Sequence, residues 1–208
     1  MRKTPVVCGV FLGICSLLVS AAPAADVTGK GIKAGFSLAD MNGADWDEDF
    51  RAKPGYSLGA FLTLDLAPGL SLQPEVFFVQ KGSRASDGDL TMAVRLNYFE
   101  IPVLLKYALL SSPKAKVFIF AGPALAMKFD SRLYVAYEGE SSTQDFGESK
   151  PFDVGLVFGG EVAVPLGRNT LLLDIRYTLG LTNCCQDGNG DRYRVKNSAI
   201  LFLAGIGF

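Results

Sequence analysis

The 208-residue sequence has no histidine. This rules out Ser-His-Asp and Cys-His catalytic arrangements, His-containing zinc sites and the usual imidazole acid/base. The formal net charge is only -1, so there is no basic field to attract nucleic acid. Beyond the first 25 residues there is no helical period, and no apolar run approaches the about 20 residues a membrane-spanning helix needs. Cysteines number four and tryptophan occurs once. What the chain does have is 49% hydrophobic residues and 23 glycines. That is too apolar for disorder and long enough for one domain with a core.

Residues 1–24 read as an export signal. Arg2 and Lys3 form the positive end, Val6 to Ser20 the apolar stretch, and Ala22 and Ala24 the small-residue cut site before Ala25. Residues 25–208 then form the mature domain, with Cys184 and Cys185 as its only cysteines. Neither Cys8, after Val7, nor Cys15, after Ile14, has the small preceding residue a lipid-anchored cysteine requires.

The mature region alternates with a period of two, the pattern of strands exposed to two unlike environments. "GIKAGFSLADM" puts Ile32, Ala34, Phe36 and Leu38 on one face and Lys33, Gly35 and Ser37 on the other. "GYSLGAFLTLDL", "LSLQPEVFFVQKG", "LNYFEIPVLLKYAL", "FDVGLVFGGEVAV", "TLLLDIRYTLGL" and "AILFLAGIGF" behave likewise, while "KVFIFAGPALAM" is apolar throughout and leaves its faces open. Eight strands result. Their connections alternate between short turns (67–69, 110–116, 165–169) and long polar stretches (near 42–54, 82–91, 128–151 and 182–195). An up-and-down barrel with one trimmed and one elaborated rim is built this way.

One face of these strands is oily and the other carries charges in mid-strand. The charged face holds Lys33, Asp65, Glu75, Lys81, Glu100, Lys106, Glu161, Asp174 and Arg176. Glycines cluster on that same face, where small groups make room inside an eight-stranded barrel. Strands of about ten residues match the 9–11 that a tilted strand needs to cross a bilayer. The fold class expected is therefore all-β, an eight-stranded antiparallel up-and-down transmembrane β-barrel. Its oily side chains would meet lipid, and its charges would form an ion-paired network filling the lumen.

The final strand must pair with the first to close such a ring. Its outward set is Ile200, Phe202, Ala204, Ile206 and Phe208. This ending resembles bacterial outer-membrane proteins in general, whose last strand alternates up to a terminal aromatic that the barrel-assembly machinery recognises. The order of "GIKAGFSLADM", "KPGYSLGAF", "LSLQPEVFFVQKG", "LNYFEIPVLLKY", "FAGPALA", "FDVGLVFGGEV" and "DIRYTLGLTN" also resembles the PorT-like family of outer-membrane β-barrel domains. "SLQPE...QKG" and "NYFEIPVLLKY" are its most specific parts. The resemblance implies an outer-membrane barrel with long loops outside and both termini periplasmic. It implies no defined activity and brings no catalytic residues. The secretion role associated with the family's namesake is not carried over.

The loops hold weaker signals. Asp45, Asp47, Glu48 and Asp49 surround Trp46 in a stretch read as a solvated loop. Tyr134 and Tyr137 suit a strand continuing above the membrane. Asp187, Asn189 and Asp191 begin like a calcium loop, but Arg192 stands where glycine is needed and Ser198 where glutamate is needed. Adjacent Cys184 and Cys185 are candidates for a vicinal disulfide, which would be strained because neighbouring alpha carbons lie only about 3.8 Å apart. No residue set calls for a cofactor or metal. The expected partners are outer-membrane lipid and, during biogenesis, the barrel-assembly machinery. The expected role is structural or surface-interacting, without catalysis. The alternatives are a small lipid-modifying or protease-like outer-membrane enzyme, and a soluble exported ligand-binding barrel of the lipocalin type.

Overall fold

The computed structural model describes residues 27–43, 50–145, 150–184 and 194–208. The export signal, the Trp46 cluster, Cys185 and the Asp187–Asp191 stretch lie outside those residues. The described residues form nine strands: β1 (Val27–Asn42), β2 (Arg51–Ala67), β3 (Leu70–Asp87), β4 (Leu90–Ser111), β5 (Lys116–Tyr137), β6 (Glu140–Asp145), β7 (Phe152–Leu166), β8 (Asn169–Gly180) and β9 (Lys196–Gly207). Eight of them, all but β6, form an antiparallel ring in the order β4-β3-β2-β1-β9-β8-β7-β5, closed by pairing of β5 with β4.

Closure answers a physical demand. A sheet in hydrocarbon has no water to satisfy an open edge, so each backbone N–H and C=O must find a strand partner. The last strand meets the first from Gly31↔Gly207 to Asn42↔Lys196, and the Phe208 amide donates to the Lys30 carbonyl at 2.8 Å. The ring is staggered. Following paired residues round from Phe99 through Phe78, Leu58, Ala34, Ala204, Leu173, Val162 and Val117 leads back to β4 at Leu110. A stagger of this kind tilts the strands against the barrel axis.

The orientation of the faces is decided by exposure. Leu62 and Ile175 are 45% and 52% exposed on the outer wall, whereas Glu75 and Arg176 are 1% and 3% exposed within. A lipocalin-type barrel would show the opposite, so the oily wall belongs in lipid. β5, ambiguous in sequence, buries Phe120, Ala124 and Ala126 and turns Ile119 outward.

Two expected loops are largely strand. β3 runs to Asp87 and β4 starts at Leu90, leaving only Gly88 and Asp89 as the turn. The 128–151 stretch contains the end of β5 and all of β6, which pairs with β5 alone from Arg132↔Asp145 to Tyr137↔Glu140. Glu138 and Gly139 both have positive φ (49° and 88°), as a tight two-residue hairpin requires. Polar residues on both faces of β6 hid this strand, because nothing there is buried and no alternation is needed.

Inward glycines stand opposite inward rings. A β-carbon on Gly59 would lie 2.5 Å from the Phe77 ring, and one on Gly159 would lie 2.8 Å from the Phe120 ring. Gly159→Val should therefore lower stability by about 1–3 kcal/mol through overpacking. Ala60→Val, on the outer wall, should change it little. Urea unfolding in lipid vesicles measures both.

Candidate functional site

The centre of the lumen is a closed cluster of three cations and three carboxylates. β1 supplies Lys33, β3 Glu75, β4 Lys106, β7 Glu161 and β8 both Asp174 and Arg176. Alternation sends each of these inward, and the barrel's narrow bore brings them together. Lys33 Nζ lies 2.7 Å from Glu161 and from Asp174, and 3.4 Å from Glu75. Lys106 Nζ pairs with Glu161 and donates to Gln73 at 2.9 Å. Gln73 in turn donates to Glu75 at 2.7 Å. Arg176 grips two carboxylates, with both terminal nitrogens on Glu75 and with Nε on Asp174 at 2.9 Å. The guanidinium is also held between the Phe77 and Phe120 rings, 5.2 Å from each centroid.

Lys33 lies 5.1 Å from the Phe61 ring and Lys106 4.4 Å from that of Phe118. These aromatic faces share the inward parity of the charges and stabilise desolvated cations. The charges balance, so the cluster presents no net field to an ion. All six residues are buried.

The other charges are placed separately. Lys81 pairs with Glu100 further toward the long-loop end, beside the Tyr98 ring. Tyr98 accepts from Asn197 at 3.1 Å. Above that pair, Met41, Val94, Leu96, Tyr98, Ala126, Cys184 and Val195 form an apolar plug. The Cys184 amide donates to Val195 and its carbonyl accepts from Lys150, which draws three chain segments over the lumen. Buried Asp153 accepts from Thr182 at 2.5 Å. Asp153 shares the inward parity of Glu161 on β7, while Thr182 lies past the end of β8, where the alternation gives no sign of the contact.

Asp65 departs from expectation. It is exposed and, among the described residues, makes no ion pair. It lies just before the turn joining β2 to β3, where the register is irregular between Asp65 and Ala67. It therefore stays at the solvated rim of a mouth of about 760 Å³, whose lining includes Thr63, Ser71, Lys106 and Glu161. That mouth opens on the short-turn side and ends at the ion-paired cluster. Among the described residues, no group of three or more His, Cys, Asp or Glu is arranged to hold a metal. The Ile200, Phe202, Ala204, Ile206 and Phe208 series lies on the outer wall.

A closed, oily-walled antiparallel ring with an ionised interior is a transmembrane β-barrel. The chain belongs to the outer membrane protein beta-barrel domain family, whose model matches residues 29–186, and its place is the bacterial outer membrane. Among solved structures it resembles Neisserial surface protein A (14% identity, TM-score 0.50, covering 86% of this chain and 95% of that one). It also resembles OprG of Pseudomonas aeruginosa (12% identity, TM-score 0.50, covering 88% and 97%). The outer membrane protease OmpT of Escherichia coli is a more distant likeness (11% identity, TM-score 0.46, covering 89% and 97%). These are likenesses of fold. No curated protein matches the chain in sequence.

Removing one partner of a buried pair leaves its counter-charge uncompensated. Arg176→Met should destabilise the barrel by about 3–5 kcal/mol. The double change Arg176→Met with Glu75→Gln should recover part of that loss. Lys81→Met, which shares no partner with Arg176, should add to it independently. Equilibrium unfolding in vesicles of Arg176→Met, Lys81→Met, their combination, and Arg176→Met with Glu75→Gln gives the comparison.

Proposed function

We propose that this protein is a non-catalytic outer-membrane barrel with a structural or surface-interaction role, displayed through the long connections at one rim. The observation that carries this reading is the plugged lumen. Among the described residues, the central cluster of ionisable groups is mutually paired and buried. Paired charges of this kind neither conduct nor bind, and a general acid or nucleophile must reach its substrate. The barrel interior therefore supports the wall, and recognition is left to the surface.

Both ends of the ring lie at the short-turn rim, beside the turns at 68–69 and 167–168. We place that rim in the periplasm and the β3–β4 and β5–β6 hairpins outside the cell, as in barrels with short inner turns and long outer connections. Within the family, the PorT-like group is the assignment that "SLQPE...QKG" and "NYFEIPVLLKY" support. The outward series on β9, ending at Phe208, is the surface on which the assembly machinery would act.

A protease site inserted at the Glu138–Gly139 turn should be cut in intact cells, and one inserted at Gly167–Arg168 only after lysis. The purified chain in planar bilayers should show no stable conducting state. Cleavage in the reverse pattern would overturn the orientation. Steady conductance, or ester or peptide hydrolysis lost on Glu161→Gln, would overturn the inert lumen.

A further inference from the structure

Read away from the bilayer, the outer wall changes character in the same order on three neighbouring strands. On β4 it runs Phe99, Asn97, Arg95; on β3, Phe78, Gln80, Arg84; on β5, Phe129, Asp130, Arg132. The aromatic tier is continuous. Tyr56 of β2 stacks on Phe78 at 5.2 Å between centroids, Phe78 lies 5.7 Å from Phe129, and Phe129 stacks on Phe99 at 4.7 Å. Such a tier marks the level where hydrocarbon meets headgroups. The next tier is a hydrogen-bonded row. Gln80 donates to Asn97 at 3.1 Å and Asn97 donates to Asp130 at 2.9 Å.

The third tier is cationic and uneven. Arg132 is neutralised, 2.9 Å from Asp130 and 3.6 Å from Asp145. Arg84 and Arg95 are exposed and, among the described residues, have no carboxylate partner. Arg51 sits directly across from Arg84 in the sheet, with two like charges in register. Lys53 reaches 3.5 Å from Gln80 Oε1. Four cations thus gather on one wall, at headgroup depth, where cross-strand like charges repel. An anion among them would relieve that repulsion.

We propose that the β2–β5 wall binds the phosphate groups of a phosphorylated glycolipid, through Lys53, Arg84 and Arg95, with the acyl chains against Tyr56, Phe78, Phe99 and Phe129. Guanidinium groups match phosphate in bidentate geometry, and the aromatic tier below supplies the apolar half of an amphipathic ligand. Placing that lipid in the outer leaflet rests on the orientation proposed above; binding itself does not.

Native mass spectrometry of the full chain in detergent, titrated with bisphosphorylated lipid A, with lipid A lacking both phosphates and with inorganic phosphate, tests this. Saturable binding of the first is expected, with binding of the second weaker by about tenfold or more, as loss of a charge-assisted contact implies. Inorganic phosphate should not bind at the same concentration. Arg84→Ala with Arg95→Ala should weaken lipid A binding by about tenfold, and the corresponding lysine variant by less. Lys114→Ala with Lys116→Ala, at the opposite rim, should bind as the unaltered chain does. Equal binding of the two lipid A forms by the unaltered chain, equal binding by the alanine double variant, or equally tight capture of free phosphate would overturn the proposal. The readout in detergent does not depend on orientation, which the cell-surface cleavage experiment reports separately.

Discussion

The structure depends on neutralising six charges buried together in one narrow bore. Lys33, Lys106 and Arg176 face Glu75, Glu161 and Asp174. Each of these ions alone would cost several kcal/mol to bury. Together, with Gln73 as a neutral bridge and rings stacked against the cations, they form the filling of the barrel. The members come from five strands. Pairing them therefore fixes how those strands register around the ring, something hydrophobic contact with fluid lipid does not specify. The glycines opposite Phe77 and Phe120 serve the same end, giving the rings that flank Arg176 their space.

Most of this was legible in the sequence because a barrel in lipid obeys a strict period of two. Lys33, Glu75, Lys106, Glu161, Asp174 and Arg176 each stand alone among oily neighbours, and that parity alone assigns them to the lumen. Asp65 obeys the same parity yet stays solvated, since an irregular register near a turn lifts it to the rim. Partnership was not legible, because which strands face each other across the bore depends on the stagger of the whole ring. Nor was the sandwiching of Arg176, as inward Phe77 and outward Phe78 look alike in sequence. β6 was missed for a related reason: outside the membrane neither face is buried, so polarity carries no information about strand.

The two ends of the barrel differ in kind. At the short-turn end, a solvated mouth reaches in as far as Lys106 and Glu161. At the other, an apolar plug that includes Cys184 and Val195 covers the lumen. Interior and exterior thus divide the labour. The interior holds the ring in register, and under the proposed function the wall and hairpins at the elaborated rim carry the groups that meet other molecules.

The length of β5 has a consequence of its own. Its 22 residues rise roughly 70 Å along the strand axis, while an outer-membrane barrel's apolar belt is only about 25 Å tall. Even allowing for tilt, the β5–β6 hairpin stands well clear of the lipid, stiffened by its own ladder and by pairing of β5 with β4 as far as Thr91↔Ala136, and sharing no pairing with β7 beyond Met127↔Phe152. It works as a mast. Lengthening it by two residues on each arm, above Thr91↔Ala136, would preserve every facing below and raise the height at which its tip meets the surroundings.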